Sequence, residues 1–573
     1  MANRRSFLAY FSGLGLASTL FPGVLWAKME EQKSGGVTKE MLHVAAAVAG
    51  LTFTDQQIER MLEGVNRNLA GYQDLRKISL ENNVAPPLYF NPVIPGMEID
   101  HGHDSKGAFR PSKPARITKP KDLEDVAFWP VTQLAELIRT KQVTSVELTE
   151  MYLNRLKRYN PKLLCAVTIT DDLAMRQARE ADREIAAGRY RGPLHGIPWG
   201  AKDLCAVKGY PTTWGAAPFK NRVLDMDATV VSRLNAAGAV LVAKLATGEL
   251  ALDDVWFGGQ TKNPWDLSMG SQGSSAGPGS ATAAGLVGFS IGTETGGSIV
   301  EPSGVCGVTG LRPTYGRVSR YGFMTLSWSL DKIGPMCRSV EDCALVLNAI
   351  QGPDGQDLSV KEVPFNWDAD LDIRKLRVGY LKAAFSNTQQ TPQSNANDAA
   401  ALEKIRSLGI QLVEVALPET RADIDAILTA IIYGEGNAAL ENPVATQPEL
   451  LVRQDRVAHQ NSLRLLPAAE YLNANRVRAI LMRQMDQAVA DVDVYLVPFD
   501  YSDYTPNPVA TLNTSLTNLT GHPCVILPHG FNEKGNPTSL TFMGKLFGEA
   551  KMLSLARAYQ QTTDWHLRRP KGI

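Results

Sequence analysis

The sequence predicts an α/β fold in which helices flank one large, mixed and twisted β-sheet. Helical stretches alternate with short β-branched runs, of which residues 240–242, 378–381 and 492–497 are examples. Such alternation of periods is typical of α/β layer architectures. The chain has 573 residues, 44% of them hydrophobic, and can therefore bury a large core.

Residues 1–30 predict an export signal of the twin-arginine type. Arg4 and Arg5 precede an apolar stretch that reaches Ala27 and is interrupted by several glycines and by Pro22. A basic start, a short apolar centre and small residues near the end are typical of such signals. We therefore expect a bacterial protein that is exported, either periplasmic or secreted, and that keeps no stable membrane span after processing. An uncleaved membrane tether is the alternative.

Residues 31–121 predict a helical pre-segment followed by a proline-rich connector. Thr54 and Gln57 form a capping-box pattern ahead of apolar residues at helical spacing. Residues 84–122 carry many prolines and little periodicity, which indicates extended chain.

Residues 122–573 predict the main body of the protein. A second capping box, Thr144 with Glu147, opens a helix whose apolar stripe we expect to end before Pro161. The β-branched runs all follow this helix, so the predicted sheet belongs to this part of the chain.

Charge and composition exclude several classes of function. Lysine plus arginine and aspartate plus glutamate both total 59, so we expect no nucleic-acid partner. His101, His103 and Asp104 lie in a segment without a partner motif, and we predict neither a metal nor a cofactor. The cysteines are scattered without metal-ligand spacing: Cys165, Cys205, Cys306, Cys337, Cys343 and Cys524. We expect free buried thiols, and export leaves a disulfide as the alternative.

Residues 270–310 form a centre far too rich in glycine and serine for ordinary core. A flexible linker would not need the apolar residues that are interleaved in this segment. A phosphate-binding loop would need G-K-[ST], or G-x-G-x-x-G between a strand and a helix, and the segment has neither. Nucleophilic catalysis is left. Residues 273–277 match G-x-S-x-G, the nucleophile elbow of an α/β-hydrolase, which nominates Ser275 with a downstream histidine as base. The histidines available are His459, His522, His529 and His566.

A set of ordered motifs resembles the amidase signature family instead. In the centre they read Gly273-Ser274-Ser275-Ala276-Gly277, then Thr295-Gly296-Gly297-Ser298-Ile299, then Cys306-Gly307-Val308-Thr309-Gly310-Leu311-Arg312-Pro313-Thr314. Upstream stands Gly196-Ile197-Pro198-Trp199-Gly200-Ala201-Lys202-Asp203. Downstream stand Ser329-Leu330-Asp331-Lys332-Ile333-Gly334-Pro335-Met336 and Asn518-Leu519-Thr520-Gly521-His522-Pro523. The resemblance spans about residues 122–566.

The resemblance implies the amidase signature fold over residues 122–573 and a catalytic triad of Lys202, Ser274 and Ser298. Ser298 would be the nucleophile that carries an acyl-enzyme, and Ser274, held by a non-proline cis peptide, would relay its proton to Lys202. Lysine is protonated in water at pH 7, so burial must lower its pKa for it to act as a base.

The resemblance also assigns an oxyanion hole. The backbone N–H groups of Thr295, Gly296, Gly297 and Ser298 would bind the oxygen of the tetrahedral intermediate, and two glycines would let the amides approach the substrate. The implied activity is hydrolysis of carboxylic amide bonds, with esters as further substrates, and the implied partner is a small-molecule amide.

Two positions near the nucleophile depart from the family pattern. The family usually has aspartate where this chain has Glu294, and arginine where it has Val300. We expect Glu294 to keep the negative charge of the family's aspartate but not the reach of its side chain. We expect Val300 to leave the chain without the family's positive charge two residues after Ser298. Ser329 and Lys332 formally match the S-x-x-K pattern of penicillin-binding enzymes, but its companion motifs are missing and we interpret them as a surface turn.

The leading hypothesis is a free-standing, exported amidase. Residues 433–437 are not followed by the Arg-[Tyr/Phe]-Asp-Gly run expected of the family members that take part in tRNA amidation. Tyr501, Tyr504 and Asn507 are candidates either for the substrate pocket or for a polar loop, and we favour the loop. A His-dependent α/β-hydrolase with Ser275 as nucleophile and a non-catalytic exported binding protein are the alternatives, and a homodimer is left open.

Overall fold

The computed structural model describes residues 36–75, 89–97, 99, 109–419, 423–440, 448–454, 466–499 and 507–573. Several residues named from the sequence lie outside this part of the chain: residues 1–30, His101, His103, Asp104, His459, Tyr501 and Tyr504. The chain divides into two units, residues 1–84 with 465–467 and residues 85–464 with 468–573.

The described part of the first unit has two helices, α1 (Lys39–Val48) and α2 (Asp55–Leu75). The predicted capping box at the start of α2 is confirmed. Thr54 Oγ1 accepts from the Gln57 N–H at 3.3 Å, and Gln57 Oε1 accepts from the Thr54 N–H at 2.7 Å. Asn66 on α2 bonds to both backbone polar groups of Val37, at 2.7 and 3.0 Å, and so fixes the chain that enters α1.

The second unit is built on a mixed sheet. The strands have these bounds: β1 (Ala166–Ile169), β2 (Pro198–Lys202), β3 (Val240–Leu245), β4 (Val255–Trp256), β5 (Gly259–Gln260), β6 (Lys262–Asn263), β7 (Asp266–Gly270), β8 (Phe289–Glu294), β9 (Thr309–Arg312), β10 (Lys332–Cys337), β11 (Val378–Leu381), β12 (Leu412–Val415), β13 (Val494–Pro498), β14 (Cys524–Phe531) and β15 (Pro537–Gly544). Among the described residues, 11 strands form one sheet in the order β1-β3-β2-β8-β10-β9-β14-β15-β13-β11-β12. β4 with β5 and β6 with β7 form short antiparallel pairs.

Helices connect the strands and pack on the sheet, which confirms the predicted α/β class. Their bounds are α3 (Val131–Arg139), α4 (Ser145–Leu163), α5 (Asp171–Ala186), α6 (Thr229–Ala236), α7 (Ala276–Ala283), α8 (Val300–Cys306), α9 (Val340–Ile350), α10 (Pro392–Ser407), α11 (Ile424–Ala439), α12 (Ala468–Ala488), α13 (Pro508–Thr520) and α14 (Glu549–Gln560). Short 3₁₀ helices cover Leu123–Phe128, Ala217–Phe219, Glu249–Ala251, Ile373–Lys375, Ala384–Ser386, Pro448–Leu450 and Trp565–Leu567. Within the described ranges, no helix combines the length and apolarity needed to cross a bilayer.

Helix α4 confirms its predicted start and contradicts its predicted end. The capping box of Thr144 and Glu147 is confirmed, with both reciprocal hydrogen bonds formed. The expected end before Pro161 is wrong, because the helix continues to Leu163. Proline removes a single backbone donor, and the helix closes immediately afterwards with Leu164 in a left-handed conformation and its N–H on the Asn160 carbonyl at 2.7 Å.

The core lies between the sheet and its helices. On neighbouring strands β2 and β8, the buried rings of Trp199 and Phe289 stack with centroids 6.0 Å apart and planes inclined by 8°. All six cysteines are buried and none forms a disulfide, which confirms the expectation of thiols.

Strand directions bring distant parts of the sequence to one edge of the sheet. β2 and β8 are parallel neighbours, so Lys202 and Glu294 end their strands at the same edge. β10 runs antiparallel beside β8 and pairs Lys332 with Glu294, which places the residues before β10 at that edge too. β9 is antiparallel to β10, so Arg312 at its end also lies there.

Candidate active site

Lys202, the predicted base, ends the central strand β2. All five residues of β2 are buried, and the Lys202 side chain has 0% exposed surface. Its Nζ lies 2.9 Å from Ser274 Oγ, 3.0 Å from Ser275 Oγ and 2.9 Å from Thr293 Oγ1. In the described residues no carboxylate forms an ion pair with this amine, so hydroxyl groups are its main partners.

Burial lowers the pKa of Lys202 well below its ordinary value of 10.5. The cause is desolvation, which disfavours the charged form, while the negative charges of Asp331 and Glu294 act in the opposite direction. Burial therefore favours the neutral amine, whose lone pair can accept a proton as a general base must.

Ser275 has all its hydrogen-bonding positions filled. Its hydroxyl donates to the Thr293 carbonyl at 3.1 Å and accepts from the Thr293 N–H at 3.1 Å and from Lys202 Nζ. The proton of Ser275 is therefore committed to a backbone carbonyl. This arrangement suits a structural serine and leaves no base next to the hydroxyl other than the lysine that it helps to hold.

Ser274 is presented to Lys202 by its backbone. The Gly273-Ser274 peptide bond is cis, as the resemblance implies. A Cβ at Gly273 would overlap the backbone carbonyl of Asp253, so only glycine fits before the serine. The side chain of Ser274 is buried, and its carbonyl accepts from the Gly248 N–H at 3.3 Å.

Ser298 lies half-buried on the turn between β8 and α8. Its carbonyl accepts from the Ser275 N–H at 3.1 Å, which joins this turn to the start of α7 next to Ser274. The structure thus brings the three predicted catalytic residues together. Lys202 and Ser274 are in direct hydrogen-bond contact, and Ser298 is joined to them through the backbone of the adjoining turn.

The turn that carries Ser298 leaves backbone donors available. Within the described part of the chain, no acceptor is bonded to the N–H groups of Gly296, Gly297 or Ser298. Gly297 has φ of 124°, in the region that favours glycine. Thr295, the fourth predicted donor, is held by its hydroxyl, which donates to Asp331 Oδ1 at 2.6 Å. Free N–H groups beside a serine hydroxyl are the elements of an oxyanion hole.

Glu294 corrects the expectation about its reach. One carboxylate oxygen accepts from the N–H groups of Ile299 and Val300 at 2.9 and 3.0 Å, and the other accepts from Arg312 at 2.7 Å and from Asn518 at 2.9 Å. Desolvation opposes ionisation, but the cation of Arg312, together with the charge of Lys332 and these hydrogen bonds, keeps the pKa of Glu294 below its ordinary value. The longer side chain of Glu294 therefore reaches the backbone directly after Ser298.

The position of the missing family cation is apolar here. Val300 is buried in a cluster with residues such as Leu330, Ile427 and Ile431. The interpretation of Ser329 and Lys332 as a surface turn is wrong. Both are buried, because Lys332 begins the interior strand β10, where burial and the neighbouring cation of Arg312 lower its pKa to about 7.

Four residues of the site were not singled out from the sequence: Thr293, Asp331, Arg312 and Asn518. The last three occur inside motifs that carry the family resemblance, which was the available signal. Their contacts with the Ser298 turn depend on the pairing of β8, β9 and β10 and on the placement of α13, none of which local sequence patterns specify.

Other candidate residues have structural roles. Asn507 caps α13, because its side chain accepts from the Ala510 N–H at 3.2 Å, and it donates to the Ala384 carbonyl at 2.9 Å. His522 contacts Thr520 at 2.8 Å and His529 contacts Asp398 at 2.7 Å. No histidine of the described ranges is hydrogen-bonded to Ser275.

Residues 147–553 match the family model described as amidase. The chain belongs to the amidase family. This amidase is 34% identical over 484 residues to a glutamyl-tRNA(Gln) amidotransferase subunit of Methylobacillus flagellatus, and the match covers 77% of the chain and 98% of that relative. The subunit of the same name from Roseiflexus castenholzii is 36% identical over 479 residues, with 77% and 97% covered.

A solved structure of similar fold also belongs to the amidases. The peptide amidase of Stenotrophomonas maltophilia superposes with a TM-score of 0.69 at 31% identity, covering 78% of this chain and 99% of that chain. The mixed-sheet α/β fold is thus the amidase signature fold, and the chain is an amide-cleaving enzyme.

Proposed function

We propose that this amidase hydrolyses carboxylic amides through an acyl-enzyme on Ser298, with Ser274 as proton relay and Lys202 as base. The hydrogen-bond pattern of Lys202 carries the proposal. A neutral amine has two N–H groups and one lone pair. Three hydroxyl oxygens lie within 3.0 Å of Nζ, so in the proposed state Ser275 and Thr293 accept the two N–H groups and Ser274 donates its proton to the lone pair.

In the acylation step, Lys202 takes the proton of Ser274 while Ser274 takes that of Ser298. The oxygen of Ser298 then bonds to the amide carbon, and the carbonyl oxygen becomes an oxyanion that the N–H groups of residues 295–298 stabilise. Collapse breaks the carbon–nitrogen bond, and the leaving amine receives a proton through Ser274 from the ammonium of Lys202. Water then attacks the ester, the same groups move its proton, and Ser298 is regenerated.

Serine variants test this mechanism. We expect Ser298→Ala and Ser274→Ala each to reduce kcat on an amide panel by about 10³-fold or more, since catalytic groups that act as a unit fail together. Ser290→Ala is the matched control, because Ser290 is a buried strand serine bonded to Thr282 and to the Pro278 carbonyl. Full activity in Ser298→Ala with loss in Ser275→Ala would support the His-dependent α/β-hydrolase instead. Absence of turnover and of covalent labelling in the wild type would support a binding protein.

A free-standing role on small amides is the second part of the proposal. The tRNA-related run is absent after residues 433–437, and the peptide amidase of similar fold is matched over 99% of its length. Purified chain alone should release ammonia or an amine from small amides. Ammonia release from glutamine that appears only after addition of partner proteins would contradict this.

Export is the third part. Arg4 and Arg5 support the twin-arginine route for residues 1–30. Replacing both by lysine should hold the protein in the cytoplasmic fraction of the producing bacterium. An unchanged distribution between cytoplasm and periplasm would contradict the proposal.

A further inference from the structure

Two carboxylates hold the two ends of the turn that carries Ser298. Asp331 accepts from Thr295 Oγ1 at 2.6 Å, at the start of the turn. Glu294 accepts from the N–H groups of Ile299 and Val300, directly after the nucleophile. Residues 296–298 lie between these anchors, and no acceptor is bonded to their N–H groups in the described structure.

Each carboxylate is itself fixed by further partners. The second oxygen of Asp331 accepts from the N–H groups of Leu326 and Ser327 at 2.9 and 3.0 Å. The second oxygen of Glu294 accepts from Arg312 and Asn518. Glu294 and Arg312 are both at most 1% exposed, so their charges are desolvated and their geometry is tightly determined.

We propose that Asp331 and Glu294 are positioning residues for the oxyanion hole, and that Arg312 supplies the cation that holds Glu294. This inference rests on the proposed function of Ser298. Arg312 comes from β9, whereas position 300, where the family usually has arginine, is apolar and buried here. In this chain the cation that holds Glu294 therefore comes from the neighbouring strand β9 and not from position 300.

The expected kinetic signature follows from where the charge develops. Oxyanion donors act on the transition state, so a displaced turn lowers kcat and kcat/KM together and leaves KM nearly unchanged. A displacement of about 1 Å costs on the order of 10²-fold in rate. A residue that serves only stability would change the amount of folded enzyme and leave the kcat of that enzyme alone.

The test compares Asp331→Asn, Glu294→Gln and Thr295→Val with Glu549→Gln. Glu549 is a matched control, since this buried carboxylate accepts from the Thr314 N–H at 2.9 Å and from Arg317 at 2.8 Å and has no contact with the Ser298 turn. Thr295→Val keeps the backbone and removes only the hydroxyl contact, so it guards against misfolding of the charge variants. Folded, active-site-titrated enzyme is assayed for kcat, KM and pH profile.

We expect the three turn variants to lose about 10- to 100-fold in kcat with KM within about threefold, and Glu549→Gln to keep its kcat within about threefold. In Asp331→Asn the acid limb of the pH profile should also move to lower pH, because the charge of Asp331 raises the pKa of Lys202. Arg312→Lys should keep more activity than Arg312→Met.

Turn variants whose kcat matches that of Glu549→Gln would overturn the positioning role. That outcome is distinct from failure of the proposed function. If the proposed function is wrong, turnover or labelling of the wild-type enzyme does not depend on Ser298 at all.

Discussion

Replacing Lys202 by methionine separates the catalytic role of this residue from its structural one. Methionine has nearly the same length and no proton to exchange. Lys202, the proposed base, contacts Ser274, and a general base contributes about 10²- to 10⁴-fold, which corresponds to about 3 to 5 kcal/mol of transition-state stabilisation. We expect kcat to fall by about 10²- to 10⁴-fold.

The structural cost of the same change is small. The variant loses the hydrogen bonds to Ser275 and Thr293, each worth about 1 kcal/mol. It is also relieved of the free-energy cost of burying an amine, which offsets this loss. We expect the Tm to change by no more than about 4 °C in a chain of this size.

The stability effect has a defined dependence on pH. The pKa of Lys202 is lowered in the folded state from 10.5, so between the two pKa values the unfolded chain binds the extra proton. Wild-type stability therefore rises with pH towards 10.5, and the variant lacks this contribution. The Tm of Lys202→Met relative to wild type should be highest at the low-pH end of this range and should decrease as pH rises.

The assay is amine release under single-turnover and steady-state conditions, with Tm from calorimetry on the same samples. A folded Lys202→Met enzyme with kcat within tenfold of wild type would refute the assignment of the base. A large Tm loss at unchanged specific activity would show that the lysine is structural.

Three further changes test the structural assignments. Ser275→Ala should keep Ser298-dependent labelling and lose about 1 to 3 kcal/mol of stability, because the N–H and the carbonyl of Thr293 each lose a hydrogen bond. Complete inactivation in a folded variant would contradict this. Asn507→Ala should lower the free energy of unfolding by about 1 kcal/mol through loss of the cap of α13, at unchanged kcat, and a change in KM would instead place Asn507 in the pocket. Burial raises the pKa of Asp342 from 3.8 to about 7, so the stability that this carboxyl adds to the wild-type fold is present below pH 3.8 and is lost as pH rises through 7. The Tm of Asp342→Asn relative to wild type should therefore increase from pH 4 to pH 8. A difference in Tm that does not change with pH would contradict this.

Local patterns predicted those parts of the fold that depend on short stretches of chain. The capping boxes at Thr54 and Thr144 are satisfied by residues three positions away, so the sequence alone contains both partners. The helix past Pro161 was missed because one lost hydrogen bond in a last turn is tolerated, and no pattern distinguishes tolerance from termination.

The contact between Lys202 and Ser274 could be expected from the ordered motifs, but the residues that surround the two side chains could not. The burial of Lys332 and the contact of Arg312 with Glu294 follow from the order β8-β10-β9 in the sheet. Pairing between strands far apart in sequence is decided by tertiary packing, and the charge of a lysine gives no hint that it begins an interior strand.

In the proposed mechanism Ser298 is the acylated residue and Lys202 activates it through Ser274. Mass spectrometry of the enzyme after reaction with a fluorophosphonate, with the modified peptide located by fragmentation, tests this directly. We predict one adduct on Ser298, absent in Ser298→Ala and strongly slowed in Lys202→Met and Ser274→Ala. An adduct on Ser275, or labelling of Ser298 at an unchanged rate without Lys202, would contradict it.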